Sequence, residues 1–486
     1  MPIAAAQPAC ETLSARKSSI RRQSDAIAGQ REHWLERAAF FHEEDLLYLK
    51  FLIPAGQRVL ELGCGTGFLL AALEPSVGVG IDFSEGMIAQ ARKAYPHLDF
   101  RVGDIEDVDA IQDLPGPFDV ILIVDTLGSL DDCQTMFEHL HHLCERHTRI
   151  IIGYFSHLWR PALWLAELVG LRPKQQSQNI LSADDVRGLV ELADFETIKS
   201  EFRMLSPLRL FGLGRTINRF VAPWPIIRHF CLRHYSVCRS LRQLGCDVKT
   251  ASIIIPARNE RANIEPAIHR IPHFSDAMEI IFVEGHSKDG TWDEIQRVIE
   301  KFPNLNIRAL RQSGKGKADA VFAACSVARG DVLLILDADL TMPPEQLPKF
   351  WQAIRSGKGE FINGSRLVYP MEDGAMQFLN LIANRLFSVT FTWLLSQRFT
   401  DTLCGTKVLR KSDYVRLGAQ EAQWGEFDPF GDFFLIFGAA KMGLKVLEVP
   451  IRYASRTYGE TQISRFRHGA MLIRMVIFAF FRIKAL

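Results

Sequence analysis

The sequence has no run of 18 or more uncharged apolar residues, the length a helix needs to cross a bilayer, so no segment reads as membrane-spanning. Its nine cysteines include no C-x-x-C pair, and an odd, scattered set argues against both a disulfide framework and a zinc ribbon. A reducing, cytoplasmic compartment is the expectation. Charge of one sign is also missing. With 57 Lys and Arg against 56 Asp and Glu the formal net charge is +1, whereas a protein that binds nucleic-acid phosphates carries a strongly basic domain. The first 30 residues, rich in Ala, Ser and Arg, lack the apolar stretch of a secretory signal and read as a mobile tail.

What the chain does have is length: 486 residues, 48% of them hydrophobic, exceed one ordinary core and predict two domains. The stretch Gly330-Asp-Val-Leu-Leu-Ile-Leu-Asp-Ala-Asp339 reads as a buried strand ending in two carboxylates. Side chains two apart on a strand point the same way, so Asp337 and Asp339 are placed to share one hard divalent cation (Mg or Mn), whose usual task beside such a pair is to neutralise a diphosphate. Acidic residues are also common in turns after strands, and D-x-D alone leaves both readings open.

Its surroundings narrow the choice. Ala251-Ser-Ile-Ile-Ile-Pro-Ala-Arg-Asn-Glu260 reads as a strand breaking into polar residues, followed by a helical run, then Glu279-Ile-Ile-Phe-Val-Glu284 and Gly314-Lys-Gly-Lys-Ala-Asp319. With the D-x-D, these segments resemble the family 2 glycosyltransferases of GT-A fold, and most closely the polyprenyl-phosphate (dolichol-phosphate mannose and glucose) synthases, over roughly residues 248 to 486. The resemblance implies a nucleotide-sugar site built from Pro256, Asn259, Glu260, Glu284, Lys317 and Asp337, metal on Asp337 and Asp339, an acceptor-phosphate cation at Arg366, and an acceptor-side acid at Asp432. Two positions depart from the family pattern: Glu284-Gly285 stands where many relatives have paired aspartates, and Thr341 where the synthases often have glutamine.

In the first half, Arg58-Val-Leu-Glu-Leu-Gly-Cys-Gly-Thr-Gly-Phe68 is a strand running into Gly63, Gly65 and Gly67, which allow a ligand close to the backbone at a helix N-terminus. The G-x-G-x-G spacing differs from the G-x-G-x-x-G of dinucleotide sites. Strands ending at Asp82, Asp104 and Asp125 follow. The series resembles the class I S-adenosylmethionine-dependent methyltransferases across roughly residues 33 to 246. By that resemblance Asp82 binds the cofactor ribose, Asp104 the adenine edge, and Glu61 with the glycines the amino-acid end.

Three further stretches carry expectations. From Phe202 to Cys246 there are eight arginines and no acid among apolar residues, which fits a membrane-surface patch or equally a face that caps the methyl acceptor or packs on the second domain. Glu138 to His147 is histidine-rich, yet matches no zinc spacing and reads as a solvated helix face. Arg465 to Leu486 is acid-free, with cations around two apolar clusters, and reads as an interfacial helix.

The expected architecture is α/β throughout: a mobile tail (1–30), a Rossmann-like class I methyltransferase domain (31–246), a GT-A nucleotide-diphospho-sugar transferase domain (247–463) and an amphipathic C-terminal helix (464–486). The expected function is bifunctional. A metal-dependent inverting transfer moves sugar from a nucleotide-sugar donor to a lipid-linked, polyprenyl-phosphate acceptor at the cytoplasmic face of an anionic membrane, and a methyl group passes from S-adenosylmethionine to an acceptor the sequence does not name. The alternative is transfer to a hydroxyl acceptor, with the first domain a non-catalytic scaffold. No nucleic acid is expected as a partner.

Overall fold

In the computed structural model, the described residues are 13–174, 179–245, 247–369, 378–418, 431–456, 458 and 465–486. The chain forms two compact units, Met1–Gln243 and Leu244–Leu486. The first is built on a seven-stranded sheet of β1 (Arg58–Leu62), β2 (Val77–Asp82), β3 (Asp99–Val102), β4 (Val120–Val124), β5 (Arg149–Phe155), β6 (Phe195–Arg203) and β7 (Arg233–Ser240), ordered β3-β2-β1-β4-β5-β7-β6. All neighbours are parallel except around β7, which runs antiparallel to β5 and β6. The Val-Ile-Leu-Ile-Val of β4 is apolar on both faces because both are covered, as parallel strands require. Strand order reverses between β1 and β4, which opens a crevice at their carboxyl ends.

The mobile tail expected over residues 1–30 is corrected from residue 15 onward; residues 1–12 lie outside the described set. Ala15–Ile27 is a helix whose Ser14 cap accepts from the Lys17 amide. Arg16 donates to the carbonyls of Gly128 (2.7 Å) and Leu130 (3.1 Å), and buried Lys17 pairs with Asp104 and Glu106. An Arg- and Ser-rich composition read locally as solvated, whereas its partners lie about a hundred residues on.

The same cause corrects two other expectations. Six of the eight arginines between Phe202 and Cys246 are in ion pairs with acids from outside that segment: Arg203, Arg209, Arg215, Arg233, Arg239 and Arg242 with Glu201, Glu43, Glu43 and Glu44, Asp45 and Asp125, Glu196 and Asp194 respectively. The stretch is therefore far less basic at the surface than its sequence suggests. In the histidine-rich region, the helix stops at His139 and His141 is buried, stacked on Phe195 and bonded to Ser240 Oγ (2.7 Å) and the Ala193 carbonyl (2.7 Å). It is a satisfied core histidine rather than part of a solvated face.

The second unit holds β8 (Thr250–Ala257), β9 (Ala277–Glu284), β10 (Ile307–Arg311), β11 (Val332–Ile335), β12 (Phe361–Ser365), β13 (Lys407–Arg410) and β14 (Val446–Pro450), ordered β10-β9-β8-β11-β13-β12-β14. β13 runs antiparallel to both neighbours and the other pairs are parallel. Its core runs through Ile253, Ile255, Phe282, Leu334, Phe350 and Ile362. The helices Phe378–Leu395 and Arg465–Ala479, the latter prolonged by one π-turn to Lys484, are tied by Lys484 Nζ donating to Ser396 Oγ (2.8 Å). Leu386, Val389, Ile473, Ile477 and Phe481 on this pair are exposed. Among the described residues no helix is long and apolar enough to cross a membrane.

Candidate active sites

In the first unit the loop after β1 meets the crevice. Gly63, Gly65 and Gly67 all have positive φ (78°, 53° and 75°), for different reasons. A Cβ on Gly63 or Gly67 would collide with Thr126 Oγ1 (2.3 Å) or the Phe100 ring (2.4 Å), so both are required by protein packing, although Gly63 also lines the cavity. Only Gly65 has open space before it, and it lines a cavity of about 760 Å³. Asp82 lines the same cavity, with one carboxylate oxygen accepting from the Gly65 amide and the other from the Ser84 amide, each at 2.9 Å. Burial raises its pKa, and those two amide bonds oppose the rise.

Asp104 also lines the cavity, paired with Lys17. Glu61 does not line it. Its carboxylate lies behind the loop, accepts from the Leu70 amide (3.0 Å) at the start of the next helix, and is pushed by burial to a pKa of about 8.

More of the cavity wall comes from the helices before β1 and from the end of β4. Helices Arg31–Arg37 and Ala39–Leu52 contribute Arg31, Phe41 and His42, and the end of β4 contributes Asp125 in a left-handed conformation (φ 56°). Arg233, fully buried on β7, donates to Asp45 (2.9 Å) and to Asp125, and Tyr235 donates to Asp45. Burial and the neighbouring Arg31 lower the pKa of His42 to about 4, so its imidazole is neutral.

In the second unit, β11 stops at Ile335, so Asp337 and Asp339 sit in the turn beyond it rather than on the strand. This corrects the alternation argument. The two carboxylates engage different cations: Asp337 takes Lys317 Nζ (2.6 Å), while Asp339 takes Arg456 (2.8 Å) together with the Thr341 hydroxyl (2.8 Å) and amide (3.1 Å). Lys317 opens the helix Lys317–Val327 and also approaches Asp432 (3.9 Å), the first residue of the helix Asp432–Lys441. Phe427 to Phe430, which precede it, lie outside the described residues. Burial alone would raise the Asp337 carboxyl, and Lys317 outweighs it, so the pKa lies below the usual range.

Glu260 joins the Asp339 side through Arg456 (3.4 Å). Asn259 and Glu284 spend their side chains on the amides of Lys288 (2.9 Å) and Ser287, and with Pro256, near the end of β8, they shape the loops at this edge of the sheet. Arg366 directly follows β12 and is held bidentate by fully buried Asp401, through Nε (2.6 Å) and Nη2 (2.8 Å). Gly405 completes the floor: a Cβ there would fall 1.9 Å from Asp337 Oδ2 and 2.6 Å from Lys317 Nζ. Among the described residues, no group of three or more His, Cys, Asp or Glu side chains is assembled to hold a metal.

Residues 252–418 match the family described as Glycosyl transferase family 2, and residues 32–200 match one described as Methyltransferase domain. The chain joins a methyltransferase domain to a family 2 glycosyltransferase domain. It is 33% identical over 221 residues to a dolichol-phosphate mannosyltransferase of Pyrococcus furiosus, covering 44% of this chain and 58% of that protein. To the Saccharomyces cerevisiae dolichol-phosphate mannosyltransferase it is 33% identical over 108 residues, covering 21% and 40%. A dolichyl-phosphate hexose transferase of Haloferax volcanii is 28% identical over 227 residues, covering 46% of this chain and 92% of that one. The chain thus spans 58% and 40% of the two mannosyltransferases.

Within the glycosyltransferase domain, sequence reasoning missed Arg456 and the role of Asp401 in holding Arg366; in the methyltransferase domain it missed Lys17, Arg31 and Asp45. Asp401 carried a signal, an acid opening a polar loop before a strand. Arg456 had none beyond being a cation after β14.

Proposed function

We propose that the glycosyltransferase domain transfers a sugar from a nucleotide-diphosphate donor to a polyprenyl phosphate at a membrane surface, and that the methyltransferase domain methylates an acceptor with S-adenosylmethionine. The observation that carries the first half is the clustering of two carboxylates and two cations, Asp337 with Lys317 and Asp339 with Arg456, in the turn beyond β11. Aspartate oxygens are hard ligands, and magnesium is commonly held by one or two carboxylates together with substrate phosphates, so the donor set fits such an ion. When bound, a divalent cation stabilises the negative charge that builds on a departing diphosphate.

The chain's own residues do the rest. Lys317 and Arg456 neutralise the carboxylates in the free protein and lie within reach of a diphosphate that enters between them. Thr341 holds Asp339 in place from two sides. Arg366, its orientation fixed by Asp401, presents a cation on the acceptor side. The exposed apolar residues on Phe378–Leu395 and Arg465–Ala479 suit an interfacial position for this domain. The second reading, a hydroxyl acceptor, rests on Asp432, a buried acid beside Lys317 that is suited to act as a general base. Mass spectrometry of cell lipids with and without the protein tests the whole proposal: sugar and methyl mass increments on a polyprenyl phosphate support it, and their absence from the lipid fraction sinks it.

In the methyltransferase domain the cavity suits the cofactor through Gly65, which leaves room at the backbone, and through Asp82 and Asp104, whose carboxylates face it. The cofactor supplies an electrophilic methyl group on a sulfonium. Asp82 orients a ribose diol. Replacing it with Ala should weaken S-adenosylmethionine binding by about 1–3 kcal/mol, the cost of unpaired hydrogen-bonding groups; calorimetry that returns an unchanged affinity removes that role.

Glu61, being off the cavity wall, acts as a positioning residue that anchors the helix after the loop. Its pKa of about 8 lies above that of an unfolded carboxyl near 4.5. Its contribution is therefore complete below pH ~4.5 and is lost as pH rises toward about 8, at roughly 1.4 kcal/mol per pH unit. Thermal melts between pH 6 and 9, values spanning that folded pKa, should show a falling Tm for the first unit in the wild type. In Glu61→Gln that slope should be nearly absent, and parallel curves for the two proteins would refute the assignment.

A further inference from the structure

The methyltransferase cavity opens at a rim that is apolar and unlike the rest of this unit's surface. The helix Arg160–Leu168 has Arg160 and Glu167 as its only charged residues. One face, with Ala162, Leu163 and Ala166, lines the cavity. The other sides do not turn polar: Trp164 is 64% exposed and Leu168 63%. A helix apolar all round belongs in a protein interior or in lipid, and this one is in neither within the unit.

Across the cavity mouth, Pro207 and Leu208 line the wall, and the chain that follows exposes Phe211 completely and Ile226 at 79%. The two sides are joined, since Trp159 Nε1 donates to the Phe230 carbonyl (2.8 Å). A contiguous apolar surface of this kind marks an interaction site.

Charge selects the partner. Residues 157–174 carry Arg160, Arg172 and Lys174 against one acid, Glu167, which Arg172 already engages (3.3 Å). Residues 204–232 carry four arginines and no acid; Arg209 and Arg215 pair with Glu43 and Glu44 from outside, and Arg219 is exposed, so with the first segment seven cations stand against three acids. Aromatic and aliphatic side chains with cations in excess of acids between them match an anionic lipid surface. We infer that this rim docks into an anionic bilayer and that the methyl acceptor is an amphiphile drawn from it into the cavity. The acceptor part of this inference rests on the methyl-transfer reading. Leu163 and Leu208 line the cavity on its rim sides, with Arg172 and Arg209 also in its wall, so an amphiphile entering there meets apolar side chains along its tail and cations for an anionic head.

Hydrogen exchange of the full chain, with and without vesicles of phosphatidylglycerol and phosphatidylcholine, tests the docking. Residues 160–171 and 208–230 should gain protection on vesicles. The double variant Trp164→Glu/Leu168→Glu, whose side chains do not line the cavity, should reduce vesicle partitioning roughly tenfold or more while leaving S-adenosylhomocysteine affinity unchanged. Vesicle binding with no protection over these segments would overturn the inference, as would protection already present without lipid and rising with protein concentration, the mark of a second copy on this face. For the acceptor, radiolabelled methyl supplied on S-adenosylmethionine with vesicles of total cell lipid should appear in the organic phase, and much less with the variant. Label confined to the aqueous phase refutes an amphiphilic acceptor. If the wild type fails to bind the cofactor at all, the methyl-transfer reading falls, while protection of the rim by vesicles still supports the docking surface.

Discussion

Asp337→Asn and Asp339→Asn should each stop the proposed sugar transfer, with a loss of roughly 10³-fold or more, and leave methyl transfer at the wild-type rate. Several kcal/mol of charge stabilisation at the leaving diphosphate depend on these carboxylates if a divalent ion sits on them. The two substitutions also disturb different neighbours. Asp337→Asn removes the negative charge nearest Lys317 and leaves Asp432, at 3.9 Å, as its anionic neighbour among the described residues, whereas Asp339→Asn retains an oxygen for Thr341 and weakens the grip on Arg456. Equal losses from unequal structural damage point to the shared metal; a much milder effect at Asp339 would point to Lys317 positioning instead. Chelation should reproduce the loss, and added Mg or Mn should reverse it. Normal transfer in a metal-free preparation would sink the metal reading. Because methyl transfer depends on the other unit, its rate serves as the internal control for intact protein.

The second large effect separates a phosphate nucleophile from a hydroxyl one. A lipid monophosphate is already ionised and needs a cation to hold it, while a hydroxyl needs a base to take its proton. Arg366→Ala alone is a poor test, because it leaves Asp401 buried without its counter-charge, at a cost of about 3–5 kcal/mol in stability. The pair Arg366→Gln/Asp401→Asn removes both charges together and keeps the fold. With a phosphate acceptor, this double variant should raise acceptor KM by about tenfold or more while its Tm stays above that of Arg366→Ala or Asp401→Asn, each of which leaves one charge of the pair unmatched, and Asp432→Asn should cost little. A fall of several powers of ten in kcat for Asp432→Asn, with an unchanged KM in the Arg366 double variant, would establish a hydroxyl acceptor.

The strands were legible in the sequence because each is a short continuous apolar run, and a strand buried on both faces has no other way to be built. The carboxylates at their ends were legible for the same reason: Asp82, Asp104, Asp337 and Asp339 interrupt those runs abruptly. What could not be read were pairings over long separations. Arg233 meets Asp45 across 188 positions and Arg456 meets Asp339 across 117, and nothing near either arginine signals its partner. The same blindness made an arginine-rich segment seem more basic than its surface is. It also made Glu61 a cavity residue, because an acid just before a glycine loop is adjacent to a ligand in sequence whichever way its side chain turns. The exposed helix Arg160–Leu168 could not be recognised as such, since sequence periodicity cannot tell an apolar helix that is covered from one that is not.

Gly405 carries a consequence for natural variation. A single methyl group at this position would collide with an Asp337 oxygen and the Lys317 ammonium, so that ion pair or the Asp401–Lys407 loop would have to move. Lifting the loop would carry Asp401, and with it Arg366, away from the floor of the site. One codon change from glycine to alanine would thus disturb the Asp337–Lys317 pair without replacing either charged residue. Lineages that dispensed with the sugar-transfer step while keeping methylation would be expected to show this position drifting early, before the aspartates themselves are lost.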